Sequence, residues 1–318
     1  MTTKESHIDR TSHEPRESSL HTLTITSINQ ISPTVRIFTL TSPVGTPIKY
    51  LPGQWVDLYY PPFPQDQKPG GFTITSSPFP PSDTIELAIQ LPPSSLAPSP
   101  PTAYLWQSPS SLLLNTPLKI RTGGSFTYPP PPSVPFRRVI FIAGGMGINP
   151  LMSMLDYLHP HIVNAAAQER EGPDGAWLEG TKGSVQVLYG VKEPEGGIQG
   201  KVGEVLFLER IARCFDPRGG RALQGGVRLF VTGGDGGGPE KEEENKTVSV
   251  SGIDVPIVGR RIGMDDIRAV IGDHHTNKDQ TVVYVCGPPK MTDELVEGLT
   301  SPEGLGMAAE RVFYEKWW

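Results

Sequence analysis

Short segments in which apolar and polar positions alternate occupy residues 20–122, separated by clusters of proline and glycine. A period of two is typical of half-buried β-strands. The pattern predicts six strands, at residues 21–27, 34–41, 55–60, 72–75, 84–90 and 117–121. Short strands at this spacing indicate an antiparallel barrel or sandwich.

The second half of the chain has a different period. Continuous apolar runs predict buried strands at residues 139–142, 185–189, 227–231, 281–285 and 311–314. Helical patterns lie between them at 150–159, 202–213, 264–271 and 290–299. Strands that alternate with helices favour a parallel sheet covered by helices on both faces. The polar stretches 171–183 and 233–250 are predicted to be surface loops.

Four regions follow from these patterns. We predict a disordered tail over residues 1–19 and a β-barrel over 20–128. A proline-rich linker follows at 129–136, and an α/β domain at 137–318. The predicted fold class is therefore a β-barrel plus α/β, with a doubly wound parallel sheet in the second domain.

Composition narrows the possible functions. The 318 residues carry 28 basic and 34 acidic side chains, so no basic surface for nucleic acid is expected. Only two cysteines are present, too few for a cysteine-ligated iron–sulfur cluster, and no metal site is expected. The sequence contains no credible membrane span or secretory signal. An intracellular protein is expected, with the cytosol favoured and the mitochondrion as the alternative.

The segment after the first apolar strand of the second half is rich in glycine. Gly144, Gly145 and Gly147 follow the strand, and Asn149 and Pro150 are predicted to be the N-cap and first residue of a helix. Glycines allow a ligand close to the backbone, and a helix N-terminus attracts anions. The turn is a candidate pyrophosphate site, although a tight strand–helix turn without a ligand would have the same pattern.

A second turn ends the strand at residues 281–285, with Cys286 followed by Gly287 and Pro288. In a doubly wound sheet this strand end lies on the carboxyl edge, where ligands bind. Cys286 is therefore a candidate for lining a reaction site on the same edge as the glycine turn.

The two turns together resemble those of the ferredoxin–NADP reductase superfamily, and the resemblance extends over residues 20–318. The matching residues are Gly144, Gly145, Gly147, Ile148, Asn149 and Pro150 in the first turn, and Cys286, Gly287, Pro288 and Met291 in the second. The carboxyl-terminal sequence Glu-Lys-Trp-Trp resembles that of one group within the superfamily. The resemblance implies that the barrel binds a flavin and the α/β domain a nicotinamide nucleotide.

The flavin motif of the superfamily, Arg-x-Tyr-Ser/Thr, falls on residues 70–73. By resemblance, the Thr73 hydroxyl faces flavin N5 and Phe72 stacks on the ring. Gly70 replaces the arginine that would pair with a flavin phosphate. Thr102 is expected to cap a short helix and contact the pyrophosphate, although the two prolines before it remove backbone donors. The remaining implied flavin contacts are Ser76 and Ile89.

The resemblance implies a flavoprotein oxidoreductase that passes hydride from NADH to FAD, with FMN as the less favoured flavin. Electrons then leave to a separate acceptor, either a protein or a small molecule. Thr73, Cys286, Glu315 and Trp318 are the residues expected to take part in catalysis. One tryptophan of the tail is expected to cover the flavin when nucleotide is absent, or else to fill the domain interface. We expect NADH to be preferred because Gly233, Gly234 and Asp235 follow the third strand, where NADP-dependent members of the superfamily carry Ser and Arg.

Two other classes of function compete with this hypothesis. A regulatory module that binds nucleotide or flavin without turnover is the main alternative, favoured by Gly70 and the prolines before Thr102. A dehydrogenase that uses only NAD would require an acid–base residue in a substrate pocket, and the sequence offers none that is convincing.

Overall fold

The computed structural model describes residues 6–168, 183–219, 222–233, 246–272 and 275–316. The chain divides into two compact units. The first contains Met1–Pro129 and Met152–Tyr157, and the second contains Pro130–Leu151 and Leu158–Trp318. Among the described helices, none has both the length and the hydropathy that crossing a bilayer requires.

The first unit is built on one antiparallel sheet. Its elements in chain order are α1 (His7–Arg10), β1 (His21–Ser32), β2 (Val35–Thr41), β3 (Trp55–Tyr59), β4 (Gly70–Thr73), β5 (Thr84–Gln90), α2 (Pro100–Leu105) and β6 (Pro117–Gly123). A short 3₁₀ turn, Ser110–Leu113, precedes β6. All six predicted strands are present, with ends shifted by a few residues.

The strands lie in the order β4-β3-β6-β1-β2-β5. A single bridge connects Ile74, the residue after β4, with Leu87 of β5, so the barrel-like sheet is not closed by a continuous ladder. Alternate residues of every strand point into an apolar core that includes Leu23, Phe38 and Leu58, all fully buried.

Residues 6–17, here called the N-terminal segment, differ from the predicted disordered tail. Arg16 pairs with Gly123 at the end of β6, and the Glu17 N–H donates to the Thr122 carbonyl (2.9 Å). Arg16 also lies 4.9 Å from the centre of the Trp55 ring. The prediction failed because this packing depends on polar contacts with distant strands, and a local apolar pattern does not record such contacts.

The second unit is built on a mostly parallel sheet of seven strands. Its elements are β7 (Arg138–Gly144), α3 (Ile148–Gln168), β8 (Ser184–Lys192), α4 (Ile198–Lys201), α5 (Leu208–Cys214), β9 (Gln224–Thr232), β10 (Thr247–Val250), β11 (Ile253–Val258), α6 (Met264–Ile271), α7 (His275–Asp279), β12 (Thr281–Gly287), α8 (Pro289–Thr300) and β13 (Val312–Lys316). Short 3₁₀ turns lie at Gly145–Gly147, Val202–Glu204, Pro217–Gly219 and Ala309–Arg311. The middle of α3, Met152–Tyr157, belongs to the first unit.

The order of this sheet is β10-β11-β9-β8-β7-β12-β13. From β7 the chain runs outward through β8 and β9, and it then returns to β12 on the other side of β7. The order therefore reverses between β7 and β12, which is the topological switch point of a doubly wound sheet. Successive residues of β7, such as Val139 and Ile140, are both buried, so the sheet is covered on both faces.

The prediction of a loop over residues 233–250 is wrong for its last four residues. Residues 247–250 form β10, which pairs with β11 in an antiparallel hairpin at the edge of the sheet. Val248 and Val250 are buried while Thr247 and Ser249 are exposed, an alternation typical of a strand. The signal was present in the sequence, but the adjoining polar run concealed it. Residues 234–245 lie outside the described part of the chain.

Candidate functional site

The glycine turn lies at the carboxyl end of β7, beside the switch point. The strand ends at Gly144, a 3₁₀ turn spans Gly145–Gly147, and α3 continues from Ile148. Helical structure therefore begins earlier than predicted, and Asn149 and Pro150 lie inside the first α-helical turn instead of capping it. Proline is tolerated there because the first N–H groups of a helix have no acceptor within the helix.

Two of the three glycines are required by packing between the turns. A Cβ atom on Gly147 would lie 2.1 Å from the Cys286 carbonyl oxygen. One on Gly144 would lie 2.6 Å from the Met291 sulfur and 2.9 Å from Pro288 Cδ. The glycine turn and residues 286–291 therefore form one closely packed unit, and the expected proximity of the two motifs is present.

Gly145 has a different role. It is exposed and has a φ of +54°, a left-handed conformation that favours glycine. It opens the helical run whose first N–H groups have no acceptor earlier in the helix, and the positive end of the helix dipole lies there. This donor set is chemically suited to a diphosphate, so the residues of the turn fit a nicotinamide dinucleotide.

Cys286 lies on this edge next to the last strand. It is 1% exposed and pairs in register with Glu315 of β13. Burial raises the pKa of the Cys286 thiol well above its usual value, and the Glu315 charge raises it further. The thiol is therefore neutral at physiological pH, able to donate a weak hydrogen bond but not to act as a thiolate nucleophile.

In the first unit, the residues matched to the flavin motif divide between the two sides of β4. Phe72 lies opposite Val56 and packs against the barrel core. A Cβ atom on Gly70 would lie 2.6 Å from Phe72 Cε2 and 2.8 Å from Pro101 Cβ. The position of the family arginine is therefore filled by Phe72 and Pro101, and the half-buried Phe72 ring packs against the barrel core.

Thr73 lies opposite Trp55 on the outer side of the same strand. It is half-buried, and its hydroxyl makes no hydrogen bond to any residue in the described part of the chain. The Ser76 hydroxyl, by contrast, accepts from the Glu86 N–H (3.1 Å) and lies 3.0 Å from the Tyr50 hydroxyl. Of the two predicted hydroxyls, only that of Thr73 is available to a ligand.

In residues 99–107, here called the α2 segment, the residue that caps the helix differs from the predicted one. Ser99 is the N-cap of α2, Pro100 and Pro101 are its first two residues, and Thr102 follows as the third. The Thr102 N–H donates to Ser99 Oγ (3.5 Å), and its own hydroxyl lies 3.0 Å from the same oxygen. Thr102 is thus part of the cap network, and the prediction that it caps the helix is wrong. Ser before Pro-Pro is itself a cap signal that the sequence contains.

The residues of the first unit therefore fit one part of a flavin only. The Thr73 hydroxyl suits the polar edge of an isoalloxazine ring, and main-chain pairing with β5 begins directly after it, at Ile74. Ile89 is 3% exposed and belongs to the core, so its contribution is restricted to backbone atoms. At Gly70 and at the start of α2 the structure does not fit a flavin phosphate.

Sequence reasoning missed the side chains that hold the α2 segment and the residues around Ser76 in place. Arg36 donates to the carbonyls of Leu105 and Gln107, both at 3.3 Å. The Tyr50 hydroxyl contacts Ser76, and burial raises the Tyr50 pKa to about 12. The sequence does contain one signal for the Arg36 contact. Arg36 occupies an inward position of the alternating β2 pattern, two residues before Phe38.

The carboxyl end of β9 carries the residues expected to choose between NADH and NADPH. A Cβ atom on Gly233 would lie 3.5 Å from Lys192 Cγ. Arg260 donates to both carboxylate oxygens of Asp266 (2.6 and 3.0 Å), so it is committed to the start of α6. Burial alone would raise the Asp266 pKa, but the Arg260 hydrogen bonds lower it below its usual value. Gly234 and Asp235, like the predicted tail residues Trp317 and Trp318, lie outside the described residues.

Comparison with known proteins confirms the resemblance and the fold, although no family model matches the chain. The chain is 27% identical over 314 residues to oxidoreductase NAD-binding domain-containing protein 1 of Bos taurus, covering 98% of this chain and 85% of the relative. A ferredoxin NADP+ reductase from Neisseria gonorrhoeae, solved with bound FAD and NADP, superposes with a TM-score of 0.58 at 16% identity (94% of this chain, 99% of that chain). The flavohem-like FAD/NAD-binding domain of a Vibrio cholerae nitric oxide dioxygenase superposes with a TM-score of 0.59 at 16% identity (93% and 98%).

Proposed function

We propose that this protein is an NADH-dependent flavin oxidoreductase that passes hydride from NADH to a flavin, from which electrons go on to a separate acceptor. The observation that carries the proposal is the packed pair of turns at the switch point. Gly147 is in contact distance of Cys286, and Gly145 opens a helix N-terminus at the carboxyl edge of the sheet. The fold shared with flavin-binding and nucleotide-binding neighbours supports it.

The residues of this chain would act by binding and orientation. A flavin supplies the hydride-accepting ring, so the protein contributes position and electrostatics. Backbone donors at residues 145–147 would hold the nucleotide diphosphate. The neutral Cys286 thiol and the Glu315 carboxylate would set the polarity around the nicotinamide, and the Thr73 hydroxyl would donate to the flavin ring.

Preference for NADH is part of the proposal. A 2′-phosphate requires a fixed cation, and Arg260 is already bound by Asp266. Lys192, which lies beside Gly233, and the exposed Arg261, which follows β11, are two cations to test at this end of the sheet. We expect kcat/KM to be higher for NADH than for NADPH. If NADPH is the better substrate, Lys192→Ala and Arg261→Ala will identify which cation binds its phosphate.

The second candidate function is a module that binds nucleotide without turnover. The observation that favours it is the filled position at Gly70, where a Cβ atom would meet Phe72 and Pro101. Both candidates predict nucleotide binding, and they differ only in whether NADH is oxidised.

The visible spectrum under anaerobic conditions separates the candidates. We expect NADH to bleach the absorption band of FAD or FMN mixed with the protein, with one flavin reduced for each NADH consumed. A protein that binds NADH but leaves every added flavin oxidised would favour the non-catalytic module.

A pair of glycine variants tests the nucleotide site itself. Gly145 and Gly306 are both exposed, with φ values of +54° and +57°. Alanine at either position introduces similar backbone strain, but only Gly145 opens the turn at the switch point. We expect Gly145→Ala to raise the KM for NADH by about fivefold, whereas Gly306→Ala leaves it unchanged. Equal effects of the two variants would argue against nucleotide binding at the turn.

A further inference from the structure

We propose that the flavin is a dissociable substrate recognised through its isoalloxazine ring, and that the phosphate and adenylate groups of FMN and FAD add little to binding. The inference rests on the proposed function, because it specifies the flavin species that the same site takes. It also implies that the reduced flavin leaves the protein and is itself the carrier of electrons to the acceptor.

The first observation is that the arginine position of the flavin motif is filled. On β4, the space beside Gly70 is taken by the Phe72 ring and by Pro101 at the start of α2. Phosphate is held most strongly by a guanidinium group with two parallel hydrogen bonds. With Gly70 covered by two apolar side chains, neither an arginine side chain nor a phosphate has room at this point of the strand.

The second observation is that the start of α2 has no backbone donor to offer. Pro100 and Pro101 carry no N–H group. The Thr102 N–H donates to Ser99 Oγ (3.5 Å), and the Ala103 N–H donates to the Ser99 carbonyl (2.8 Å). The first four positions of this short helix are thus either without a proton or already bonded, so the helix end cannot bind an anion as longer helices do.

The third observation is that the α2 segment is fixed in this arrangement. Leu105 is fully buried in the barrel core, and the Tyr104 ring stacks on Tyr60 with 4.5 Å between centroids. At its carboxyl end, Arg36 holds the Leu105 carbonyl and lies 4.3 Å from the centre of the Trp106 ring. Opening the segment to accommodate a phosphate would break these contacts, so the segment is part of the barrel structure.

One feature suited to the flavin ring remains in place, the Thr73 hydroxyl. Thr73 presents a half-buried hydroxyl on the outer side of β4, and residues Gly70–Thr73 pair with β3, the bridge to β5 beginning at the next residue, Ile74. Riboflavin, FMN and FAD share the isoalloxazine ring and differ only beyond the ribityl chain. Contacts made to the ring alone cannot distinguish among the three.

The reaction balances with these species. The hydride leaves C4 of the nicotinamide and forms a bond to flavin N5, while flavin N1 takes one proton from solvent. NADH is oxidised to NAD⁺ by two electrons, and the flavin is reduced by two. Reduced flavin and NAD⁺ then dissociate.

Binding of the three flavins to the full-length protein is the direct test. We expect riboflavin, FMN and FAD to have dissociation constants within about threefold of one another, measured by quenching of flavin fluorescence. We also expect similar kcat values when each is reduced by NADH. FAD that binds more than about thirtyfold tighter than riboflavin, or that stays with the protein through dialysis, overturns the inference and leaves the proposed function standing.

Variants on β4 and β1 test the ring contact. Thr73→Val should raise the dissociation constants of all three flavins by the same factor, about fivefold, because it removes one hydrogen bond to the shared ring. Thr22→Val, at an exposed threonine of β1, is the matched control and should leave all three dissociation constants unchanged. A Thr73→Val protein with unaltered flavin affinity contradicts the ring contact. If NADH reduces none of the three flavins with the wild-type protein, the proposed function itself fails.

Discussion

The two units differ in how far the residues matched to the motifs of the superfamily could bind a ligand. In the second unit, the glycines that match the pyridine-nucleotide motif are required by contacts with Cys286, Pro288 and Met291. In the first unit, the arginine of the flavin motif is replaced by Gly70, and its space is filled by Phe72 and Pro101. The glycines matched to the nucleotide motif are thus fixed by packing within this chain, whereas the position matched to the arginine of the flavin motif carries no side chain that could contact a ligand.

Glycine substitutions provide the largest expected contrast between the units. Gly147→Ala places a Cβ atom 2.1 Å from the main-chain oxygen of Cys286, and backbone atoms cannot move without separating the turns. We expect a loss of about 3 kcal/mol or more in the free energy of unfolding, or no soluble protein. Thermal unfolding of purified protein is the measurement.

The matched change in the first unit is Gly70→Ala, where the nearest atom belongs to the end of the Phe72 ring (2.6 Å). A ring can shift more easily than a carbonyl, so we expect a cost of about 1–2 kcal/mol. A Gly147→Ala protein as stable as the wild type would show that the turns are not in contact, and the comparison would fail.

The polar network under the N-terminal segment is the next contrast, because in the described part of the second unit no buried carboxylate is contacted by two arginines and a histidine. The Asp57 side chain is fully buried, 2.7 Å from Arg121 Nε, 3.1 Å from Arg16 Nε and 3.0 Å from His7 Nε2. Burial alone would raise the Asp57 pKa, but these neighbours lower it below its usual value.

We expect Asp57→Asn to reduce the free energy of unfolding by about 3 kcal/mol at neutral pH. A lowered pKa means that the folded state favours the ionised carboxylate. Its stabilisation is therefore complete above pH 4, roughly the pKa of the unfolded chain, and is lost as pH falls further through the folded pKa. The difference in Tm between wild type and Asp57→Asn should shrink from pH 6 to pH 3. A constant difference over this range would mean that the charge of Asp57 does not contribute.

The two buried cysteines sharpen the comparison within the second unit. Cys286 lies at the switch point, while Cys214 lies at the end of α5, where its thiol donates to the Arg210 carbonyl (3.3 Å). We expect Cys286→Ala to lower kcat for NADH oxidation about tenfold with little change in KM, whereas Cys214→Ala leaves kcat unchanged. Equal kinetic effects would assign Cys286 a packing role only.

The smallest expected effect concerns the tail, for which the sequence predicts an aromatic cover over the flavin. Removal of Trp317 and Trp318 should change KM for NADH and the rate of flavin reoxidation by oxygen a few-fold, about two to five times, while Tm is unchanged. A lower Tm or loss of soluble protein, without a selective kinetic change, would indicate that the two side chains only fill an interface.

Much of this fold could be predicted from the sequence because its cores produce strong periodic patterns. The strand at 84–90 and the helix at 264–271 are located to the residue. The hairpin of β10 and β11 was missed because a charged run adjoins it, and the N-terminal segment because its contacts are polar and distant in sequence.

The candidate site was predictable to the extent that glycine and proline determine the backbone. The proximity of Gly147 and Cys286 follows from sheet topology and a known pair of turns. The sequence did not predict which side chains would be available to a ligand. The cap at Ser99, the internal bonds of Ser76 and the inward position of Phe72 depend on register and on partners elsewhere in the barrel.

Turnover of riboflavin by NADH tests the central claim most directly, because it requires the nucleotide site of the second unit and a flavin without any phosphate. With a catalytic amount of protein and no oxygen, the absorption band of excess riboflavin should disappear as NADH is consumed, one molecule for one. The rate should match that for FAD within about threefold. If FAD is reduced and riboflavin is not, the phosphate groups are needed and the contrast between the two units is wrong.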